Sequence, residues 1–343
     1  MQEYSKKITQ ESNISEYPFL EKPIPIIEQS WNGDVQPLVS IYCKAYMHEN
    51  FIRNALEGFL MQQTTFKVEI WIHDDASTDN TPNIIREYEA KYPHLFVATY
   101  QVENQYKKNP KTPNYIKPPI KRGKYVAPCE GDDYWTDPFK LQKQVDFMEK
   151  NPDYVMCYHY NQQKKGDILL PRLIPTKGKD FTGDELIATP PGIATATKLF
   201  RNVFLKYPNQ NRPTGDYGLN VYLGLFGKCK FLSDIKPSVR RLHSGGVWTS
   251  KQSDEKHYGL INTKIKVYKF FSDQKDYHRM NVSLIALKNV IQEKLPYVYP
   301  EYKEFRITSP SIRFIHKVIK HIINLCVKFF NKLRDKLIKK RKH

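Results

Sequence analysis

Cysteine is scarce in this chain and poorly spaced for any chemistry of its own. The five that occur, Cys43, Cys129, Cys157, Cys229 and Cys326, are odd in number and form no CxxC pair, so neither a disulfide framework nor a zinc site is signalled. Most of them sit in apolar runs, where a buried free thiol is the ordinary state and a reducing compartment fits best. Long apolar runs are missing too. Nothing reaches the eighteen or so uninterrupted apolar residues of a spanning helix, and the polar first thirty residues show no apolar core of a secretory signal. The first compact apolar strand is followed by Lys44-Ala45-Tyr46-Met47-His48 rather than by a glycine-rich phosphate loop, which weighs against a nucleotidyltransferase, the alternative enzyme class for such a chain.

What is present describes a folded protein with a peculiar tail. Hydrophobic residues make up 40% and aromatics 13% of 343 residues, enough for a large core in one domain or two. The balance of 54 Lys and Arg against 36 Asp and Glu gives +18, which implies an anionic partner without naming it. Residues 311–343 hold eleven Lys and Arg against Asp335 alone, so they carry +10 of that charge and the first 310 residues only +8. In the same segment Ile312, Ile315, Ile319, Ile322, Ile323, Cys326, Phe330, Leu333 and Leu337 recur at three- and four-residue steps, opposite Arg313, Lys317, Lys320, Lys328 and Lys339. A wide apolar face opposite a cationic one is the pattern of a helix lying on an anionic bilayer, where each basic residue adds about 1 kcal/mol. Docking on the chain's own domain or in a homodimer is the competing explanation. A nucleic-acid-binding protein is the other class that the charge raises, but no recognised module for it is visible.

Between these ends the pattern is strand, helix, strand, helix, strand. Residues 1–34 read as an irregular arm. Apolar strands are expected at 37–43, 68–73, 95–100 and 154–160, with helical spacing at 48–62, 83–92 and 138–151. Alternation of this kind builds βαβ units on a parallel sheet, whose ligands bind beyond the carboxyl ends of the strands. A fifth apolar run, 123–129, ends in Glu130-Gly131-Asp132-Asp133. Three carboxylates within four residues repel one another and raise one another's pKa. A hard divalent cation, Mg²⁺ or Mn²⁺, relieves that repulsion; a solvated acidic turn is the plain alternative. Asp74 and Asp75 end the strand at 68–73 and belong to the same rim. Residues 101–121 read as a long loop rich in Lys, Asn and Pro, 258–272 and 280–294 as further helices.

Three stretches in order, Val39-Ser40-Ile41-Tyr42-Cys43-Lys44-Ala45-Tyr46, then His73-Asp74-Asp75-Ala76-Ser77-Thr78-Asp79, then Arg122-Gly123-Lys124-Tyr125-Val126 running into Glu130-Gly131-Asp132-Asp133-Tyr134-Trp135, resemble the nucleotide-binding half of the family 2 glycosyltransferases. The similarity is strong over 37–161 and weaker to about 250. It implies an α/β, GT-A-like, Rossmann-type and mostly parallel sheet flanked by helices, covering 35–250 with an acceptor half at 162–250. A helical extension at 251–310 and the amphipathic tail at 311–343 follow. It also implies nucleotide-sugar dependence and inversion. Carried over residue by residue, Tyr46 borders the base, Asp75 binds uracil or ribose, and Arg122, Glu130, Asp132 and Arg241 complete the nucleotide-sugar site. Asp132, Asp133 and His243 ligate the cation. Glu130 departs from the family's first aspartate. Asp216, at a helix start, resembles the catalytic base, with an ordinary helix N-cap as the competing role. Partners are then a nucleotide-sugar donor, a glycan or lipid-linked acceptor and the membrane, at the cytoplasmic face. The QxxRW pattern of processive synthases is absent, favouring single-sugar addition.

Overall fold

The structure, a computed structural model, describes residues 17–108, 122–171, 178–188, 192–204, 213, 215–246 and 252–298. The expected tail helix at 311–343, with Cys326, lies outside them, as do residues 109–121 of the long loop. The chain divides into two compact units, Met1–Ser244 and Gly245–His343.

In the first unit the strands are β1 (Ile24–Pro25), β2 (Val39–Ala45), β3 (Gln63–Thr64), β4 (Val68–Asp74), β5 (Phe96–Tyr100), β6 (Tyr125–Glu130), β7 (Tyr154–Tyr158), β8 (Asn161–Lys165), β9 (Ile168–Leu169), β10 (Leu199–Arg201), β11 (Lys228–Phe231) and β12 (Ser238–Leu242). The helices are α1 (Ile52–Leu60), α2 (Thr81–Lys91), α3 (Gln105–Lys108), α4 (Lys140–Lys150), α5 (Gly183–Ala188) and α6 (Gly215–Leu223). Seven strands form one sheet in the order β11-β7-β10-β6-β2-β4-β5. All its pairings are parallel except those of β10, which runs antiparallel between β6 and β7. The long strands β2, β4 and β6 are buried nearly throughout, as they must be with helices on both faces. This explains why their sequences read as continuous apolar runs rather than alternations.

The core is built on Val39, Ile41, Cys43, Ile70, Ile72, Tyr125, Ala127 and Cys129 from the strands, faced by Ile52, Leu56 and Phe59 of α1 and Leu141, Val145 and Met148 of α4. Apolar residues at three- and four-residue spacing on α1 and α4 put these side chains on one stripe. The four described cysteines are buried free thiols, as the apolar runs predict. Part of the amino-terminal arm is ordered structure: Ile24 and Pro25 pair with Thr64 and Gln63, a two-residue strand too short to show in a pattern. A small second sheet, β12-β8-β9, lays β12 parallel to β8. It is stitched to the acidic turn by the bridge between Tyr134 and Val239.

The second unit contains α7 (Ser253–Asp273) and α8 (Tyr277–Val298), which pack on each other through Ile261, Phe271, Leu287 and other buried apolar residues. Both helices extend beyond the expected 258–272 and 280–294. Among the described residues, no helix is long and apolar enough to cross a membrane.

Candidate active site

Register decides which side chains share the rim. Lys44, near the end of β2, lies beside His73 of β4 on one side and Glu130 of β6 on the other. The carboxyl ends of three adjacent parallel strands therefore bring Asp74, Asp75 and the Glu130–Asp133 turn to one edge. The chain turns sharply there: Met47 and Ala76 both take left-handed backbone, at φ 56° and 61°, a conformation that non-glycine residues hold only under constraint from their surroundings.

The acidic turn is packed from below. A side chain at Gly131 would meet Ile52 at 2.6 Å and His48 at 2.9 Å, so only glycine lets the strand end lie against α1 while its amide bonds the Lys44 carbonyl at 2.8 Å. Trp135 closes the turn, stacked edge-on against Phe59 at 4.9 Å and donating its indole N–H to the Ala196 carbonyl at 2.8 Å. The Ser238 hydroxyl donates to the same carbonyl at 3.0 Å. The 3-10 turn Thr195–Thr197 is thereby clasped between the acidic turn and β12, and its Thr195 hydroxyl donates to the Asp216 carboxylate at 3.1 Å.

Glu130, Asp132 and Asp133 each offer a carboxylate oxygen, all within 4.8 Å of one another. Their environments push them apart. Burial and the charges of Asp132 and Glu130 hold Asp133 well above the usual carboxylate range. Burial, with Asp216 and Asp132 nearby, raises Glu130 despite the Lys44 ammonium 3.7 Å away. Asp132 goes the other way: burial would raise it, but the His243 ring 3.0 Å from its Oδ2, together with His48, holds it down. His48 lies 3.9 Å from the same oxygen, and its own pKa is depressed by burial. Three carboxylates that crowd one another, with two imidazoles on one of them, are a donor set suited to a divalent cation. The site fits Mg²⁺ or Mn²⁺.

Asp216 stands at the start of α6. Asp216 keeps exposed surface; the protein around its carboxylate pushes its pKa up, but Lys198, Lys44 and the Thr195 hydroxyl outweigh this and hold it below the ordinary value. Glu130 and Asp216 are electrostatic neighbours, so the residues expected at 130–133 and 216 meet at one place. Asp75 lies on the same rim, with its oxygens accepting the backbone amides of Gln105 at 2.7 Å and Tyr106 at 3.1 Å; it anchors α3 over the strand ends. Asp74 closes its own turn on Ser77, through N–H at 3.1 Å and O–H at 2.5 Å. Tyr46 is half-buried beneath α3, its hydroxyl 3.2 Å from the Lys107 ammonium.

Two expectations change. Arg122 is not at this rim. It precedes β6 and pairs with Glu69 at 3.2 Å, beside Ser40 at the amino ends of the strands. The five residue steps of β6 put it at least about 17 Å from Glu130. Arg241 is at the rim but as a brace: its amide bonds Asp133 at 3.0 Å, and its guanidinium spans the Asp132 carbonyl at 2.8 Å and Asn54 at 2.6 Å, stacked on Tyr134 at 4.5 Å. Its neighbour Arg240 projects to the other side of β12, where Glu130, Asp133 and Asp216 feel its charge. The sequence assigns no role to His48, Lys198 or Arg240, and Thr195 stands out in it only as a feature of the acceptor half without a role. Alternation along β12 is the one signal that could have separated Arg240 from Arg241.

Residues 40–108 match the model for glycosyl transferase family 2. This stretch is similar to glycosyl transferase family 2. The chain is 36% identical over 227 residues to an uncharacterized protein of Mycobacterium tuberculosis, a match that takes in 64% of this chain and 63% of the relative. The chain thus spans less than two thirds of the length of the curated relatives it matches first. It is 32% identical over 127 residues, 37% of this chain and 47% of the relative, to the Escherichia coli UDP-Glc:alpha-D-GlcNAc-diphosphoundecaprenol beta-1,3-glucosyltransferase WfaP. In fold it resembles a mannosyltransferase from Pyrobaculum calidifontis solved with GDP-Man and Mn²⁺, at TM-score 0.51 and 14% identity over 88% of this chain and 85% of that one. It also resembles residues 1–349 of S. aureus TarS, at 0.50 and 15% over 79% and 75%. The fold is GT-A.

Proposed function

We propose that the chain transfers a sugar from a nucleoside-diphosphate donor to a hydroxyl group of a glycan or lipid-linked acceptor, with inversion at the anomeric carbon. The observation that carries this is the convergence of Asp216 with the Glu130, Asp132 and Asp133 cluster on the carboxyl rim of a GT-A sheet. Asp216 is the general base. Held ionised by Lys198 and Thr195, it takes the proton of the acceptor hydroxyl as that oxygen bonds to the anomeric carbon. The bond from that carbon to the diphosphate breaks, and its electrons leave with the diphosphate. Asp132 and Asp133, with Glu130 and His243 beside them, are the residues to hold Mg²⁺ or Mn²⁺, which supplies positive charge against the departing diphosphate when bound. Arg240 and Lys44 add cationic charge beside the acidic residues. Tyr46 and Asp75 border the nucleotide, Asp75 with the acceptor capacity that the two amides leave on its oxygens.

A UDP-sugar is favoured as donor because the Escherichia coli relative is named for UDP-Glc. The same relative, named for a diphosphoundecaprenol acceptor, and the basic amphipathic pattern of 311–343 together support work at the inner face of a bacterial-type membrane, in surface polysaccharide synthesis. The test is Asp216→Asn assayed for nucleoside diphosphate release with UDP-glucose, Mn²⁺ and a diphosphoundecaprenol-linked GlcNAc acceptor. The variant should bind the donor within about twofold of the wild type while transfer falls by roughly 10²- to 10⁴-fold. Undiminished transfer removes Asp216 from the role and the mechanism with it.

A further inference from the structure

Among the described residues of the first unit, two lysines are wholly buried, and they differ in what surrounds the ammonium. Lys140, 1% exposed, donates to Gln144 at 2.7 Å and sits over the Trp135 ring at 4.1 Å. It is accounted for within the core. Lys198, 0% exposed, has an Nζ that reaches no hydrogen-bond acceptor. An unpaired ammonium out of water costs several kcal/mol, so a folded chain keeps one where something else completes it.

Its position is fixed. The Lys198 amide bonds the Thr195 carbonyl at 3.2 Å, closing the turn that Trp135 and Ser238 clasp through Ala196. Thr195, at the start of that turn, holds Asp216, and β10 carries the chain on between β6 and β7. The opposite charges facing the ammonium are Asp216 and Glu130, with Lys44 nearby. All three belong to the rim where transfer is proposed, between the base and the cation cluster. The group that enters that space in a transfer reaction is the sugar ring, and its hydroxyl oxygens are the acceptors that the ammonium lacks.

We propose that Lys198 is a substrate-contacting residue whose buried ammonium hydrogen-bonds hydroxyl oxygens of the sugar being transferred. The assignment rests on the transferase function proposed above. It makes Lys198 a reader of the sugar and not of the nucleotide, which separates it from Asp75 and Tyr46.

The experiment is calorimetric titration of the full chain with Mn²⁺, comparing UDP with UDP-glucose and GDP with GDP-mannose, in wild type, Lys198→Met and Lys198→Gln. The readout is the ratio of sugar-nucleotide affinity to nucleoside-diphosphate affinity within each protein, which partial unfolding does not alter. In Lys198→Met the ratio should fall at least about tenfold while diphosphate affinity holds, as expected for loss of a charged hydrogen bond, and in Lys198→Gln it should fall less. A ratio unchanged in both variants overturns the assignment and leaves the transferase function standing. A wild-type protein that binds neither sugar nucleotide overturns both.

Discussion

The two rims of the central sheet use the same kinds of side chain to opposite ends. At the amino rim one buried carboxylate, Glu69, takes a hydroxyl from Ser40 at 2.5 Å and faces the Arg122 guanidinium at 3.2 Å. Burial raises this carboxyl too, but the Ser40 hydroxyl and the Arg122 charge pull against the rise and no second carboxylate crowds it. At the carboxyl rim Glu130, Asp132, Asp133 and Asp216 share Lys44, Lys198, Arg240 and two imidazoles, and two of the four are held above their normal pKa. An ion pair that closes on itself is architecture. A cluster left electrostatically uncomfortable in the folded state is stabilised by what it binds, and the imbalance of charge rather than its amount marks the site.

The largest expected break in this comparison comes from Asp133→Asn. It removes a proposed cation ligand, so Mn²⁺-dependent donor binding should fall by about a hundredfold or more, at or beyond the range for losing a partner that only orients a ligand. The same change relieves repulsion within the cluster, and the metal-free variant should melt higher than wild type. The mirror change at the amino rim, Glu69→Gln, should do the reverse. It should cost about 1–3 kcal/mol of stability through the lost charged hydrogen bond and leave donor affinity unchanged. Thermal melts and titrations of both variants decide it; a Glu69→Gln protein that loses donor binding would unite what the register separates.

The sheet and its acidic rim were legible in the sequence because local pattern and position coincide there. β2, β4 and β6 are apolar runs that end in charged residues, so the parallel sheet and the place of Asp75 and Glu130–Asp133 follow from the order of elements. Arg122 misleads for the same reason: adjacent in sequence to the β6 motif, it stands at the strand's opposite end. Lys198 and His48 carry no local signal, and Thr195 carries none that assigns it a role. They reach the rim because a three-residue strand, Leu199–Arg201, inserts antiparallel between β6 and β7, and because Gly131 lets the acidic turn settle on His48. Neither event is periodic, and neither shows until the chain is folded.

Burial raises Glu69 at the amino rim as well, so it is the response to Mn²⁺ across pH, and not acidity alone, that separates the rims. A carboxyl whose pKa is higher in the folded than in the unfolded state contributes stability that is present at low pH and lost as pH rises through the folded value. Asp133 and Glu130 are such groups. Metal-free protein should therefore lose stability as pH climbs past the ordinary carboxylate range, and Mn²⁺ should restore it. The rise in melting temperature on adding Mn²⁺ should be larger at pH 8 than at pH 5, where protons compete for the same oxygens. An equal rise at both pH values would place the cation elsewhere.

The smallest expected effect belongs to Arg122→Met, and it tests where the site ends. The Arg122 side chain is 42% exposed, so its removal leaves Glu69 with the Ser40 hydroxyl and costs no more than about 1 kcal/mol, the usual scale for a pair with one partner in water. Because about 17 Å of strand separates it from Glu130, donor affinity and transfer rate should both stay within about twofold of wild type. Lys44→Met supplies the contrast at the other rim: a single lysine 3.7 Å from Glu130, whose loss should tighten Mn²⁺ on the more negative cluster but weaken donor binding, because one cation fewer faces the diphosphate. Should Arg122→Met weaken donor binding as much as Lys44→Met does, the nucleotide site extends across the sheet and the division of labour between its rims is wrong.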